Sequence, residues 1–225
     1  MRKNFFLRLN ELVNAYRKYD PATSSRLEIF LLYPGIKAWI FHGMAHELHR
    51  WGVPFFPRFL SEVCRLFTGI EIHPGAQIGD RVIMDHGHGI VIGETSIVGD
   101  DVLIYQGVTL GGTSLERAKR HPTIEPHCVI GGGAKILGNI VIGAGSRVGA
   151  NSVVIKSVPP GSTVVGIPGK VVSSAPVVEG HELEHDRLPD PVLSRIVDLE
   201  KRLVLLEQSQ SLHVNPIDAA PGDNE

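Results

Sequence analysis

Large aliphatic residues return at every sixth position through the middle of this chain, with glycine and small polar residues between them. A period of six fits neither an α-helix, at about 3.6 residues per turn, nor an isolated strand, at about two. It is typical of a parallel β-helix, in which three hexapeptides form one triangular coil and the aliphatic side chains point inward. We therefore predict a mainly β fold, with a parallel β-helix over residues 71–170. The repeating positions are Ile72, Ile78, Met84, Ile92, Val98, Ile104, Leu110, Ile124, Ile130, Ile136, Ile142, Val148 and Val154.

The repeat is broken twice, and each break contains histidine beside a charged residue. Between Met84 and Ile92 the spacing is eight, and the extra residues fall within Asp-His-Gly-His-Gly at 85–89. After Leu110 the phase is lost across a polar segment, 111–123, that carries several basic residues. Stacked coils do not need such interruptions, so both indicate loops kept for function.

Helical spacing of apolar residues is found on both sides of the repeat. We predict an N-terminal helical cap over residues 1–70, with helices at about 5–18, 34–51 and 54–67. The last coil ends near 158–170, where two prolines and a Gly-x-Pro-Gly sequence cannot continue a hydrogen-bonded ladder.

A short C-terminal helix is predicted over residues 190–210. Asp190 is a suitable N-cap, Pro191 suits the first helical position, and apolar residues follow at spacings of four and three. A seam this short is not stable alone, so we expect the helix to pack on its own domain or on copies of itself near a threefold axis. Residues 171–189 are predicted to be a linker and residues 211–225 a disordered tail.

The composition limits the class of partner and the compartment. A net charge of −2 and a pI of about 6.6 argue against nucleic acid or an anionic membrane as a general partner. The two cysteines, Cys64 and Cys128, suggest neither a disulfide framework nor a metal-type pair, which favours a reducing cytosol and a role in the core. No run approaches about eighteen apolar residues and no signal-type segment opens the chain, so we expect a soluble, cytoplasmic protein.

The first break suggests a general base. His86 stands in a polar loop beside Asp85, and an imidazole there can be neutral at physiological pH and accept a proton from a hydroxyl. Neighbouring side chains usually point apart, so Glu71, slightly less than one coil earlier, is the better candidate to orient His86. For a histidine standing alone, an ordinary corner position would be an equally good interpretation.

The second break suggests an anion site. Arg120 and His121 follow Lys119 and Arg117, and a guanidinium can hold a carboxylate through two parallel hydrogen bonds. The alternative is a solvated run of charge. The triple glycine at 131–133 does not predict a dinucleotide-binding loop, because the six-residue period continues through it.

Three histidines lie along the second predicted helix. His42, His46 and His49 are spaced four and three apart and share one face, which makes a metal site conceivable. Only Glu47 supplies a carboxylate nearby and no cysteine is close, so a helix-packing surface is the better interpretation. We therefore expect no metal.

Together these segments resemble the short bacterial serine O-acetyltransferases of the hexapeptide acyltransferase group. The resemblance covers roughly residues 20–170, and its specificity comes from the order and spacing of the motifs. They are Ile-His-Pro-Gly-Ala at 72–76, Asp-His-x-x-Gly at 85–89, Ile-Gly-Glu-Thr at 92–95, Gly-Val-Thr-Leu-Gly-Gly-Thr at 107–113, Arg-His-Pro at 120–122, Gly-Ala-Lys-Ile-Leu-Gly-Asn-Ile at 133–140 and Val-Pro-Pro at 158–160.

The resemblance implies a left-handed coil and an activity. The family transfers acetyl from acetyl-CoA, a co-substrate, to the hydroxyl of L-serine for cysteine synthesis, with no tightly bound cofactor. By resemblance His86 is the general base and Glu71 occupies the place of the carboxylate that orients it, where the best-known members have aspartate. Direct attack of the hydroxyl on the thioester then needs no acyl-enzyme.

The resemblance also assigns the groups that bind the substrates. Asp20 and Asp85 would hold the ammonium group of serine, and Arg120 its carboxylate. His121 would assist from the same loop, and this loop would come from a neighbouring subunit. Acetyl-CoA would lie in a groove between subunits, against Gly112, Gly132 and Arg147.

Further expectations concern regulation and assembly. L-cysteine is expected to inhibit, because a thiol can replace the hydroxyl while both charged ends still fit. The helical region is short for the family, which favours a homotrimer over a hexamer. The family's C-terminal isoleucine, which enters the partner O-acetylserine sulfhydrylase, is absent from Gly-Asp-Asn-Glu at 222–225, which argues against that complex.

Three other functions follow from the same residues. One is a related acetyltransferase with homoserine or a sugar as acceptor, although the paired aspartates opposite Arg120 favour an amino acid. Another is a zinc lyase of the γ-carbonic anhydrase type, with His86, His88 and His121 as ligands, although Arg120 would repel the cation. The third is a non-catalytic scaffold, which would have no need of the two breaks.

Overall fold

The computed structural model describes residues 4–173 and 191–211, and the chain divides into two compact units. Within the described residues, the first unit contains four helices and fifteen strands and the second contains one helix. The predicted tail after residue 211, the N-cap at Asp190 and most of the predicted linker lie outside the described residues.

Four helices precede the first strand: α1 (Phe5–Tyr19), α2 (Arg26–Leu32), α3 (Pro34–Arg50) and α4 (Phe56–Thr68). Three of them correspond to the predicted helices, whereas α2 was not predicted. Ser25 caps α2 by accepting a hydrogen bond from the backbone N–H of Glu28. Only Ile29 of its seven residues is buried, so the sequence carries no apolar period that would reveal the helix.

Short strands follow, each contributing one side of a coil. They are β1 (Glu71–Ile72), β2 (Gln77–Ile78), β3 (Ile83–Met84), β4 (Val91–Ile92), β5 (Ile97–Val98), β6 (Leu103–Ile104), β7 (Thr109–Gly111), β8 (Thr123–Ile124), β9 (Val129–Ile130), β10 (Lys135–Leu137), β11 (Val141–Ile142), β12 (Arg147–Val148), β13 (Val153–Val154), β14 (Thr163–Val165) and β15 (Lys170–Ser173).

The strands form three sheets, one for each side of the triangle. Sheet A is β1-β4-β7-β10-β13, sheet B is β2-β5-β8-β11, and sheet C is β3-β6-β9-β12-β14 with β15 antiparallel at its end. All other pairings are parallel. Consecutive strands therefore belong to different sheets, as a coil with three sides requires.

The register confirms that the aliphatic period forms the core. Each sheet aligns one column of the repeating residues, and the columns are buried except for the partly buried Ile78. The columns are Ile72, Ile92, Leu110, Ile136 and Val154 in sheet A, Ile78, Val98, Ile124 and Ile142 in sheet B, and Met84, Ile104, Ile130, Val148 and Val164 in sheet C.

The two breaks in the repeat lie at two different corners of the triangle. We call the turns from sheet C to sheet A the CA corner and the turns from sheet A to sheet B the AB corner. The segment 85–90 belongs to the CA corner, because it joins β3 to β4. The segment 112–122 belongs to the AB corner, because it joins β7 to β8. The breaks therefore lie on opposite edges of sheet A.

A buried tyrosine attaches the helical region to the first coil. The Tyr16 hydroxyl accepts a hydrogen bond from the backbone N–H of Met84 (2.8 Å) and donates one to the Met84 carbonyl (3.2 Å). Only 1% of Tyr16 is exposed, and burial raises the pKa of its phenol. The two bonds hold α1 against β3 directly before Asp85, so they connect the packing of the cap to the position of the CA corner.

Replacing Tyr16 by phenylalanine should lower the free energy of unfolding by about 1–3 kcal/mol, because two buried backbone groups of Met84 lose their partner. Urea denaturation at a fixed protein concentration measures this loss. Tyr33→Phe is the matched control, because Tyr33 is only half-buried and its hydroxyl bonds one side chain, that of Asp20. A loss for Tyr16→Phe no larger than for Tyr33→Phe would contradict the expectation.

The second unit contains α5 (Pro191–Ser211), in agreement with the predicted C-terminal helix. Four residues of its predicted seam are between 46% and 63% exposed: Ile196, Leu199, Leu203 and Leu206. Within residues 4–173 and 191–211, no helix combines the length and apolar character needed to cross a membrane.

Candidate active site

The CA corner between β3 and β4 carries the predicted base. The backbone of His86 is left-handed (φ 53°), as are Gly87 and Gly89, and this conformation accommodates the two extra residues. A Cβ on Gly87 would lie 2.5 Å from the Ile70 side chain, so a larger residue does not fit there. The hydrogen bond from Gly89 N–H to the Gly69 carbonyl (2.9 Å) ties the loop to the end of α4. The His86 side chain is 76% exposed, so a substrate can reach its imidazole.

Asp85 is held by contacts on both sides of its carboxylate. One oxygen accepts the backbone N–H of His86 (3.0 Å) and the other accepts the Tyr19 hydroxyl (3.3 Å). Tyr19 in turn contacts the Tyr105 hydroxyl at 2.7 Å. His86 Nε2 lies 3.8 Å from Asp85 Oδ2, which is too long for a hydrogen bond. Asp85 is therefore positioned by Tyr19 and by the backbone N–H of His86.

Asp20 lies directly after α1 and next to Tyr19. Its carboxylate accepts the Tyr33 hydroxyl and the backbone N–H of Ala22 (2.8 Å). These two bonds hold the pKa of Asp20 below its usual range, and His86 is close enough to add a weaker electrostatic contribution. The fold thus brings Asp20, Asp85 and His86 to one corner. Two carboxylates beside an exposed imidazole suit an ammonium group next to a proton acceptor.

Glu71 forms an ion pair with a residue of the helical cap. Among the described residues, the Glu71 carboxylate accepts a hydrogen bond from Arg58 of α4 at 2.8 Å and accepts none from His86. Glu71 lies in β1 opposite Val91, and α4 packs against this strand. The hexapeptide spacing indicates only which coils are adjacent. It does not reveal that α4 packs beside β1 and brings Arg58 to Glu71.

The AB corner gathers the second predicted group. Arg120 forms an ion pair with Glu94, and its guanidinium also donates to the Glu116 carbonyl (3.3 Å). A guanidinium has five N–H groups, so others remain for a carboxylate ligand. Lys119 donates to three backbone carbonyls, those of Thr95, His121 and Pro122, and thereby closes the loop onto the preceding coil.

His121 is packed into this corner and is 8% exposed. Its Nδ1 faces the hydroxyl (2.9 Å) and the backbone N–H (3.2 Å) of Thr95. Burial lowers the pKa of His121, and the neighbouring Arg120 lowers it further. Both effects favour the neutral imidazole.

The structure joins the predicted site residues into two groups. One is at the CA corner, with Asp20, Asp85 and His86, and the other is at the AB corner, with Arg120 and His121. Sheet A lies between the two corners. A single subunit therefore does not place the proposed ammonium and carboxylate groups around one substrate.

The residues predicted to bind acetyl-CoA are also divided between the two corners. A groove of about 530 Å³ runs along the CA corner, lined by Tyr105, Gln106, Gly107, Gly132, Gly133, Ala150 and Asn151. Arg147 lies near the groove, close enough to lower the pKa of Tyr105 slightly against the larger effect of burial. Gly112 lies at the AB corner, where an added Cβ would be 3.1 Å from His121 Nε2.

Several residues of these groups were not predicted from the sequence. Tyr19, Tyr33 and Tyr105 orient the two aspartates, and Glu94 and Thr95 hold Arg120 and His121. Two features of the sequence are consistent with these roles. One aromatic residue directly precedes Asp20, and the Glu-Thr pair lies at a corner one coil before the basic loop.

The histidines of α3 pack against the first coil. His42 is buried, which lowers its pKa to about 3. His46 Nδ1 contacts the Pro74 carbonyl at 2.8 Å, and the His49 ring lies edge-on to His73. Among the described residues, no group of three or more histidine, cysteine or acidic side chains is arranged to hold a metal ion.

Comparison with known proteins identifies relatives with the same organisation. A family model described as bacterial transferase hexapeptide (six repeats) matches residues 121–156. The serine acetyltransferase of Staphylococcus xylosus is 51% identical over 199 residues, covering 88% of this chain and 92% of that protein. A solved serine acetyltransferase in complex with cysteine aligns with a TM-score of 0.77 and 36% identity, over 81% of this chain and 71% of its own. The serine acetyltransferase from Brucella abortus strain S19 in complex with coenzyme A aligns with a TM-score of 0.74 and 38% identity, over 77% of this chain and 70% of its own.

A triangular coil built from hexapeptides is the architecture of the hexapeptide-repeat transferases, and the family model matches this coil over residues 121–156. The coil is left-handed, as the resemblance implied, and it carries N-terminal helices and a short C-terminal helix. Because the identity to a curated relative is 51% over most of both chains, the chain belongs to the serine acetyltransferase family.

Proposed function

We propose that the protein transfers the acetyl group of acetyl-CoA to the hydroxyl of L-serine, the first step of cysteine synthesis from serine. The observation that carries the proposal is the CA corner, where Asp20 and Asp85 flank the exposed imidazole of His86. An α-amino acid presents an ammonium group to two carboxylates and leaves its hydroxyl near the base. The solved relative in complex with cysteine, which differs from serine by one atom, supports an amino-acid ligand.

The reaction is a direct transfer. His86 takes the hydroxyl proton of serine, and the serine oxygen attacks the carbonyl carbon of the thioester. The carbon–sulfur bond then breaks, and the CoA sulfur leaves with a proton returned from His86. No acyl-enzyme forms, and positioning the two substrates together supplies much of the rate. Acetyl-CoA is a co-substrate, and the relative solved with coenzyme A supports its binding in the groove beside Gly132.

We further propose that the site is completed by a neighbouring subunit of a homotrimer. The CA corner of one subunit would supply His86 and the aspartates, and the AB corner of the next would supply Arg120 and His121. The exposed seam of α5 is suited to helix association, in support of the trimer. The proposal places the reaction in the cytoplasm, where buried thiols such as Cys64 and Cys128 stay reduced.

Release of the CoA thiol from acetyl-CoA tests the function. L-serine is compared with homoserine, with a sugar and with no acceptor, each with and without a strong chelator. Serine-dependent release that survives the chelator supports the proposal, and inhibition by L-cysteine competitive with serine supports the same ligand site. Faster release with homoserine would assign a different acceptor, and no release with any acceptor would reject acetyl transfer.

Replacing Glu71 by glutamine is expected to lower kcat if its carboxylate orients His86, as the family resemblance implies. The ion pair with Arg58 supplies a matched control. Arg58→Gln breaks the same pair without removing the carboxylate, so it should leave kcat close to the wild-type value. Steady-state kinetics of both variants separate the two roles. Equal effects would show that Glu71 serves only to hold α4, and an unchanged kcat for Glu71→Gln would reject its role in catalysis.

A further inference from the structure

The hydrogen bonds around Thr95 determine where His121 carries its proton. The backbone N–H of Thr95 points at His121 Nδ1 from 3.2 Å. A backbone N–H can only donate, so Nδ1 must accept and cannot carry a hydrogen. In a neutral imidazole the single proton is then on Nε2.

The Thr95 hydroxyl leads to the same result independently. Its oxygen accepts the backbone N–H of Arg120 (3.0 Å) and that of His121 (3.1 Å), which uses both lone pairs. The remaining O–H is left to donate, and its partner is His121 Nδ1 at 2.9 Å. All four bonds are satisfied only when Nδ1 is an acceptor.

The opposite edge of the ring is available to a ligand. Among the described residues, His121 Nε2 makes no hydrogen bond, and it is absent from the fully buried polar atoms that lack a partner. A Cβ added at Gly93 would lie 2.2 Å from Nε2, and one at Gly112 would lie 3.1 Å from it. The imidazole therefore packs directly against the backbone of Gly93 and Gly112, where a larger residue would displace it, and its Nε2 edge lies beside the Arg120 side chain.

Burial of the ring and the positive charges beside it favour its neutral form. Burial lowers the pKa of His121 most, and Arg120 and Lys119 lower it further, while Glu94 acts in the opposite direction. His73, at the same corner two coils earlier, is close enough to His121 for a weak electrostatic interaction. A neutral ring that donates from Nε2 cannot act as a base at that atom.

We propose that Thr95 is a positioning residue that fixes His121 as an Nε2–H hydrogen-bond donor to an acceptor oxygen of the bound substrates. The oxygen belongs either to the carboxylate of the amino acid or to the carbonyl of the acetyl thioester. This inference rests on the proposed function for its ligand, whereas the tautomer itself does not depend on it. It separates the two histidines by role, His86 as the base and His121 as the donor.

Nitrogen NMR of the full-length protein with ¹⁵N-labelled histidine tests the tautomer without any substrate. The resonances of His121 are assigned by their loss in His121→Gln. We expect a protonated Nε2 and an unprotonated Nδ1 at neutral pH. Thr95→Ser should preserve this pattern. Thr95→Val removes the hydroxyl but keeps the backbone N–H, so Nδ1 should stay unprotonated and its resonance should shift, because it loses one of its two hydrogen bonds. A protonated Nδ1 in the wild-type protein would overturn the proposal, even if serine acetylation were confirmed.

Kinetics test the donor role. The amide N–H of glutamine reaches the position of Nε2–H but cannot act as a base, so His121→Gln should retain activity within about tenfold of wild type. His121→Ala should lose about 10²–10³-fold. Equal losses for both variants would overturn the donor role.

The kinetic constants also identify the oxygen. A raised KM for serine with kcat preserved indicates the carboxylate, and a lowered kcat indicates the thioester carbonyl. Thr95→Val should change the same constant as His121→Ala, and Thr95→Ser should restore it. An effect of Thr95→Val on stability alone would leave Thr95 without a positioning role. Absence of serine-dependent turnover in the wild type would instead reject the proposed function and leave the NMR result standing.

Discussion

Replacing His86 by asparagine is expected to lower kcat for serine acetylation by about 10²–10⁴-fold, because the hydroxyl of serine loses its proton acceptor. Asparagine is the better choice here, since the backbone of His86 is left-handed and asparagine tolerates this conformation better than alanine. His86→Ala should show the same loss of rate with additional strain in the loop. The side chain is exposed, so the loss should come without a large change in the free energy of unfolding.

His127→Asn provides the matched control. His127 is also exposed and also left-handed, with φ 61°, but it lies in the turn from sheet B to sheet C, away from both candidate groups. The same substitution in the same backbone conformation should therefore leave kcat unchanged. A near-wild-type rate for His86→Asn would remove His86 from the mechanism. A similar loss in both variants would indicate a general effect on the coil.

The coil was predictable because its physical signal is repeated. Each inward position recurs at a fixed spacing, and every occurrence adds evidence for the same register. The two breaks were predictable for the same reason, since a loop is visible against a regular background. Helix α2 has no such signal: a single buried residue, Ile29, attaches its seven residues to the core.

The neighbours of the site residues were harder to predict because they come from elements outside the repeat. Glu71 lies next to Arg58 only because α4 packs along β1, and Asp85 meets Tyr19 only because α1 packs along β3. Nothing in the hexapeptide pattern specifies how the cap is placed on the coil. The tautomer of His121 likewise depends on the direction of a single backbone N–H, that of Thr95.

The separation into two corners does follow from the sequence once the strands are assigned to sheets. The segment with His86 follows a strand of sheet C, and the segment with Arg120 follows a strand of sheet A. The full width of one sheet therefore lies between them within each subunit. The proposed site therefore combines the CA corner of one subunit with the AB corner of its neighbour, as the proposed cyclic trimer would allow.

Mixing two inactive variants is expected to restore activity. The His86→Asn and Arg120→Ala variants, each inactive alone, are dissociated together in denaturant and reassembled. A subunit with intact His86 can then meet a neighbour with intact Arg120. When equal amounts of the two variants assemble at random, about one quarter of all sites contain both intact residues. Recovered serine acetylation, measured per subunit after reassembly, would show that the site is shared.

The contrasting pair is His86→Asn with Asp85→Asn, two changes within the same corner. Both residues must come from one subunit, so no mixed trimer contains an intact CA corner and activity should not return. Recovery for this pair would mean that Asp85 and His86 act in different sites. Failure of the first pair, with wild-type protein recovering fully through the same procedure, would place Arg120 and His86 in the same subunit. In that case the loop 112–122 would have to move across sheet A to reach its substrate.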